Sequence, residues 1–215
     1  MNPLLSPTSA TPTAIAPTAI APRAFALFLH SWLADPRRVG AVAPSGEMLA
    51  ALITQEILPH HGPIIELGAG TGVFTRHLIK RGIPEDKIAI VEFGARFADA
   101  LRLKHPSAVI LEMDASRLGG LTLFGGERAG AVISGLPLLS FSARTVVKIL
   151  HGAFSHLREG GGFYQFTYGP RCPVPRSILD RYGLRATRVG RTLANIPPAT
   201  VYRISRRSTP QAARF

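Results

Sequence analysis

Three carboxylates stand at related places along the chain. Glu66 lies two residues before the run Gly68-Ala69-Gly70-Thr71-Gly72, Glu92 lies twenty residues beyond Gly72, and Asp114 follows in turn. Glycines spaced as GxGxG let the backbone turn sharply and let a ligand approach it closely. Position 73, where a dinucleotide fingerprint has its third glycine, is Val73, and no lysine of the P-loop type follows. Glu66 would repel a pyrophosphate but can hold an ammonium, which points to a nucleoside carrying an amino-acid tail. Glu92 can accept hydrogen bonds from both hydroxyls of a ribose. Asp114, or the backbone amide of Ala115, can read the amino edge of an adenine. Ser134-Gly135-Leu136-Pro137-Leu138 falls where a second substrate would meet that ligand.

These residues need a scaffold, and the surrounding pattern supplies one. Short β-like runs, IIEL, KIAIVE, AVILEM, GAVIS and GFYQFTY, alternate with helical stretches near 71–82, 95–104 and 142–157. Such alternation predicts an α/β fold with a parallel sheet covered by helices on both faces. It also has Glu92 end the second strand and Asp114 end the third, with Glu66 in the strand that runs into the glycine turn. Two further runs, 184–193 and 199–206, are joined by Asn195-Ile196-Pro197-Pro198, a connection short enough for an antiparallel edge hairpin. The expected sheet therefore has seven mostly parallel strands with an antiparallel C-terminal edge. Another helix is expected after Ser45, through Met48, Leu49, Leu52 and Ile53.

The chain has 215 residues, enough for one domain with tails. Residues 1–22 carry five prolines, no charged side chain and a repeated pentamer, PTAIA; they read as a disordered tail, neither membrane span nor secretory signal. Residues 23–207 form the domain and 208–215 a second tail. Within 23–35, Phe25, Phe28, Leu29, Trp32 and Leu33 recur at helical spacing, and Pro36 ends the run. That amphipathic helix would be about 18 Å long, too short to cross a bilayer but suited to lying on one.

Twenty-five Lys+Arg against 13 Asp+Glu leave a net charge of +12, which implies an anionic partner. The excess concentrates from Gly160 onward, where ten arginines stand with no lysine and the single acid Asp180. One cysteine, Cys172, excludes an intrachain disulfide and fits a reducing, cytoplasmic compartment. The seven histidines have no metal-ligand spacing, so no metal is expected.

ELGAGTG, then VE, then EMDA, in this order, resembles the class I S-adenosylmethionine-dependent methyltransferases, a Rossmann-like fold. FLHSWLADPRRVGAVAPSG, SGLPLLSF, QFTYGP and NIPPATVYRISRR further resemble the small bacterial phosphatidylethanolamine N-methyltransferases of the peripheral, soluble-fold type. The resemblance runs from Phe25 to Arg207 and departs at Gly94, where the family often has asparagine. It implies S-adenosylmethionine as cofactor, with S-adenosylhomocysteine as product. It implies cofactor contacts from Glu66, Gly68, Ala69, Gly70, Gly72, Glu92, Phe93, Asp114, Ala115 and Ser134. Acceptor contacts would come from Ser134, Gly135, Leu136, Pro137, Trp32, Tyr168 and Arg171. The implied partner is a phospholipid at an anionic membrane surface, on its cytoplasmic face.

An ethanolamine amine with a lysine-like pKa near 10 costs roughly 4 kcal/mol to deprotonate at pH 7, so desolvation or a proton acceptor is required. Tyr168 and His30 are the candidates. Trp32, Phe166 or Tyr168 can offer a π face to a methylated cation, and Arg37, Arg38, Arg171 or Arg176 can meet a lipid phosphate. The alternative acceptor is an adenine of ribosomal RNA. Enzymes of that kind hold a flipped base with Asn-x-Pro-aromatic, where this chain has Ser134, Leu136, Pro137 and Leu138, with neither amide nor ring. Asn195-Ile196-Pro197-Pro198 reads as turn chemistry. A third reading, a basic module that binds cofactor without transfer, leaves the retained Glu66, Glu92 and glycines unexplained.

Overall fold

A computed structural model describes residues 44–195 and 197–207. The tails at 1–22 and 208–215, the helix expected over 23–35 and its His30 and Trp32, and Arg37 and Arg38 lie outside the described residues. The elements run α1 (Pro44–Thr54), β1 (Ile64–Leu67), α2 (Val73–Lys80), β2 (Ile88–Glu92), α3 (Ala95–Lys104) and β3 (Val109–Glu112). They continue with β4 (Ala129–Ser134), α4 (Ala143–His156), β5 (Leu157–Thr167), α5 (Arg176–Arg181), β6 (Leu184–Thr192) and β7 (Ala199–Arg206).

The strands form one seven-stranded sheet in the order β3-β2-β1-β4-β5-β7-β6. All pairings are parallel except those of β7, which runs antiparallel to both β5 and β6. β1, β2 and β4 are buried along their whole length, which is why IIEL, IAIVE and AGAVIS read as continuous apolar runs rather than alternating ones. Neighbouring residues of each strand serve opposite cores. On one face Ile65, Val132 and Phe163 pack with Val146, Ile149, Leu150 and Ala153 of α4 and with Ile178 of α5. On the other, Ile64, Ile90 and Ile133 pack with Leu49 and Ile53 of α1, Leu78 of α2 and Leu101 of α3. β6 closes the edge with Arg185, Arg188 and Arg191 exposed, charges that discourage further strand pairing.

Local signals set the helix ends. Ser142 Oγ accepts from the Thr145 amide at 3.2 Å and starts α4. Gly72, at φ 79°, holds the left-handed conformation that precedes α2, so this helix begins at Val73. Near each end of β4 a glycine is pressed against other backbone. A Cβ on Gly130 would stand 2.1 Å from the His61 carbonyl oxygen, and one on Gly135, just past the strand, 2.5 Å from that of Gly68. No described helix is long and apolar enough to cross a membrane.

Candidate functional site

The parallel strands bring their carboxyl ends to one edge, and most of the chemistry-bearing residues gather there. Glu66, third residue of β1, is wholly buried. Its Oε2 accepts from Thr75 Oγ1 at 2.6 Å, whereas its Oε1 has no partner among the described residues. Burial pushes the Glu66 carboxyl up to about 7; the Thr75 hydrogen bond opposes the rise and the nearby Glu92 charge adds to it.

Glu92 ends β2 and fastens the glycine turn. The Gly70 amide donates to its Oε2 at 2.9 Å and the Gly94 amide to its Oε1 at 2.8 Å. A carboxylate has about four acceptor positions, so two remain for a ligand. Gly68, Gly70 and Gly72 all have positive φ, from 54° to 79°. The turn is wedged between its neighbours, with the Gly68 amide donating to the Val91 carbonyl and the Gly135 amide to the Leu67 carbonyl, both at 2.8 Å. Phe93, beside Glu92, is 79% exposed.

Asp114 lies two residues beyond β3, where it caps a short 3-10 turn by accepting from the Ser116 amide at 2.8 Å; Ala115 behind it is buried. Ser134 ends β4, fully buried, and its Oγ accepts from the Leu136 amide at 3.3 Å. Leu136, Pro137, Leu138 and Leu139 face Phe166, Thr167 and Pro173 across a narrow cleft. Tyr168 stacks edge-on against Phe166 at 5.4 Å, and Phe166 in turn against Phe74 of α2 at 6.1 Å. Burial raises the Tyr168 hydroxyl above the usual phenol range, with an opposing hydrogen bond from Asn195. Arg171 is exposed in the loop after β5.

Three participants escape sequence reasoning. Thr75 binds Glu66 from the first turn of α2; its signal is helical spacing from Gly72. Gln165 is 1% exposed, and its Nε2 donates to the carbonyls of Leu136 at 3.0 Å and Phe166 at 2.8 Å. Its signal is a lone amide within an apolar strand. Asn195 sits in the β6–β7 connection as expected of a turn residue, but it is buried and reaches Tyr168.

A second cavity, of ≈ 160 Å³, opens at the opposite edge of the sheet, lined by His61, Arg158, Arg203 and Gly160–Gly162 among others. Arg158 donates to the His60 carbonyl and Arg203 Nη2 to that of Gly160, while Arg203 Nε is buried with no partner among the described residues. Desolvation first, then His60 and these arginines, lowers the basicity of His61. Among the described residues, no three His, Cys, Asp or Glu side chains group as a metal site requires.

The sheet order, the antiparallel β7 and the glycine turn after β1 make this the class I methyltransferase fold. Over 183 residues, 83% of this chain and 94% of its relative, the sequence is 28% identical to the ornithine lipid N-methyltransferase of Singulisphaera acidiphila. Among solved structures, a TehB-like SAM-dependent methyltransferase from Corynebacterium glutamicum matches with a TM-score of 0.57 at 16% identity, covering 87% of this chain and 100% of that one. The glycopeptide N-methyltransferase MtfA complexed with (S)-adenosyl-L-methionine matches with a TM-score of 0.56 at 13% identity, covering 75% and 94%. No protein-family model matches the chain.

Proposed function

We propose that this protein transfers methyl groups from S-adenosylmethionine to the terminal amine of a polar lipid at the cytoplasmic face of a membrane. The similarity to a lipid N-methyltransferase along 83% of the chain carries the reading. The residues present fit the cofactor. Glu66 supplies a buried carboxylate oxygen with no partner among the described residues, suited to an ammonium, and Glu92 keeps acceptor positions for a ribose. Phe93 offers an exposed ring beside them. When bound, S-adenosylmethionine would supply an electrophilic methyl for transfer to the amine lone pair, the C–S bonding pair staying with the departing sulfur.

The chain's own part is alignment and exclusion of water. The turn after β4 abuts the glycine turn, so an amine lodged by Leu136 is held at the edge where Glu66 and Glu92 lie. Tyr168, lifted above the usual phenol range, stays protonated at neutral pH and places the amine by hydrogen bonding rather than as a base. The ammonium gives up one proton to water at the mouth of the cleft before transfer, since only the free amine has a lone pair with which to attack.

The rim around this edge suits an anionic bilayer. Phe93, Leu139, Phe141 and Leu193 are exposed on its loops. The side chains of Arg96, Arg117, Arg144, Arg171 and Arg191, in the same loops or the adjoining ends of elements, are exposed and form no ion pair among the described residues. Each basic group near such a surface contributes about 1 kcal/mol. For the acceptor, the sequence motifs favour phosphatidylethanolamine and the relative favours ornithine lipid; both present a primary amine on a short aliphatic arm.

Transfer of labelled methyl from S-adenosylmethionine tests the reading, with vesicles of phosphatidylethanolamine, vesicles containing ornithine lipid and undermethylated ribosomal RNA offered separately. Label in either lipid supports it; label in RNA alone overturns it.

Glu66 adds a pH dependence. Its folded pKa of about 7 exceeds the ordinary 4.5, so protonation favours the folded state. Its contribution to stability is complete below about pH 4.5 and is lost as pH rises through 7, roughly 3 kcal/mol in all. A ligand ammonium binds the ionised form. Cofactor affinity should therefore fall as pH is lowered from 7.5 to 5.5, approaching tenfold per unit at the acid end, and Glu66→Gln should flatten the profile. Calorimetric titration across that range is the check.

A further inference from the structure

Buried polar atoms without a protein partner are uncommon in native interiors, and here several collect at one place. Gln165 Oε1, Thr167 Oγ1 and Thr200 Oγ1 are each buried with no partner among the described residues. Thr167 and Thr200 stand directly opposite one another across the β5–β7 pair, and Gln165 is two residues before Thr167 on the same face. Gln165 is also the register partner of Ser134 at the end of β4. The row therefore lies at the sheet edge where the glycine turn and the Leu136–Leu139 turn meet, and Thr167 itself lines the cleft with Leu136, Leu139 and Phe166.

The orientation of the Gln165 amide is fixed by chemistry. Both partners of Nε2 are carbonyl oxygens, which can only accept, so the unpaired atom is the carbonyl oxygen and needs a donor. The two hydroxyls on the same sheet face can accept as well. We propose that Gln165, Thr167 and Thr200 form the seat for the acceptor's ammonium, with the apolar cleft taking the aliphatic arm. This rests on the lipid-amine reading and names the residues that recognise the amine. The seat counts N–H bonds. A primary ammonium offers three, each methylation removes one, and a trimethylated product offers none, so affinity declines as methylation proceeds and the finished product is released.

Steady-state kinetics on vesicles of the unmethylated, monomethylated and dimethylated lipid test this, with Thr167→Val/Thr200→Val beside the wild type. Valine keeps the shape and removes only the two hydroxyls. The expected result is a KM that rises along the wild-type series. The double variant should have a KM for the unmethylated lipid about tenfold higher, unchanged calorimetric affinity for S-adenosylmethionine, and a Tm equal to or above wild type, because a methyl replaces an unpaired buried hydroxyl. Thr167→Ser/Thr200→Ser, which restores both hydroxyls, should recover the wild-type KM. Unchanged KM in the valine variant with transfer retained overturns the seat and leaves the lipid reading standing. An equal KM rise in the serine variant also overturns it, since that outcome marks a packing role. Absence of transfer to any amine lipid by the wild type overturns the lipid reading and the seat with it.

Discussion

Glu92→Ala is expected to lower affinity for S-adenosylmethionine at least ~100-fold, beyond ready detection by calorimetry. Two contributions add. On the proposed reading the ribose loses hydrogen bonds to a charged group, each worth about 1.5–3 kcal/mol. The Gly70 and Gly94 amides lose the acceptors that hold the glycine turn in its binding shape. Leaving the Gly70 amide buried and unpaired costs about 1–3 kcal/mol, which should lower Tm by roughly 3–10 °C. Glu92→Gln retains one carbonyl acceptor and should fall between the two proteins in both measurements. Affinity of Glu92→Ala equal to wild type would show that the ligand lies elsewhere.

Gly135→Ala should reduce methyl transfer about 100-fold while weakening the cofactor far less. Its new Cβ would stand 2.5 Å from the Gly68 carbonyl oxygen, nearer than side-chain carbons approach backbone. The turn after β4 must then withdraw from the turn after β1, which on the proposed reading separates the acceptor from the cofactor. A displacement near 1 Å can cost about 10²-fold in rate by spoiling alignment. Gly120→Ala is the matched control, because a Cβ there meets nothing within 4 Å. Single-turnover rates with saturating cofactor separate the two effects; equal rates for Gly135→Ala and wild type would remove the turn from the mechanism.

Much of this architecture was open to reading from sequence because its signals are local. The glycine turn and the carboxylates that follow it announce strand ends by residue type, and α3 and β7 fall at the expected 95–104 and 199–206. Boundaries moved where backbone geometry outweighed composition. α2 starts at Val73 rather than 71, since Gly72 is left-handed, and β3 stops at Glu112, two residues short of Asp114. β5 begins at Leu157, directly after α4, with no turn residue to mark the change. What stayed hidden depends on contacts between distant segments. Gln165 is meaningful only beside Leu136, Thr167 only opposite Thr200, and Asn195 only against Tyr168. Periodicity within one segment carries no record of which strand will lie next to it.

The two glycines near the ends of β4 also govern which changes of length the gene can accept. Between the His61 carbonyl at one end and the Gly68 carbonyl at the other, the strand is held at both tips by contacts that admit no side chain. It is a ruler with fixed ends. A residue inserted or deleted within 131–134 would turn Ser134 to the opposite face of the sheet and exchange the cores that Val132 and Ile133 fill. Length variation is thereby confined to the connections on either side, such as 121–128, where Gly125 and Gly126 stand clear of neighbours.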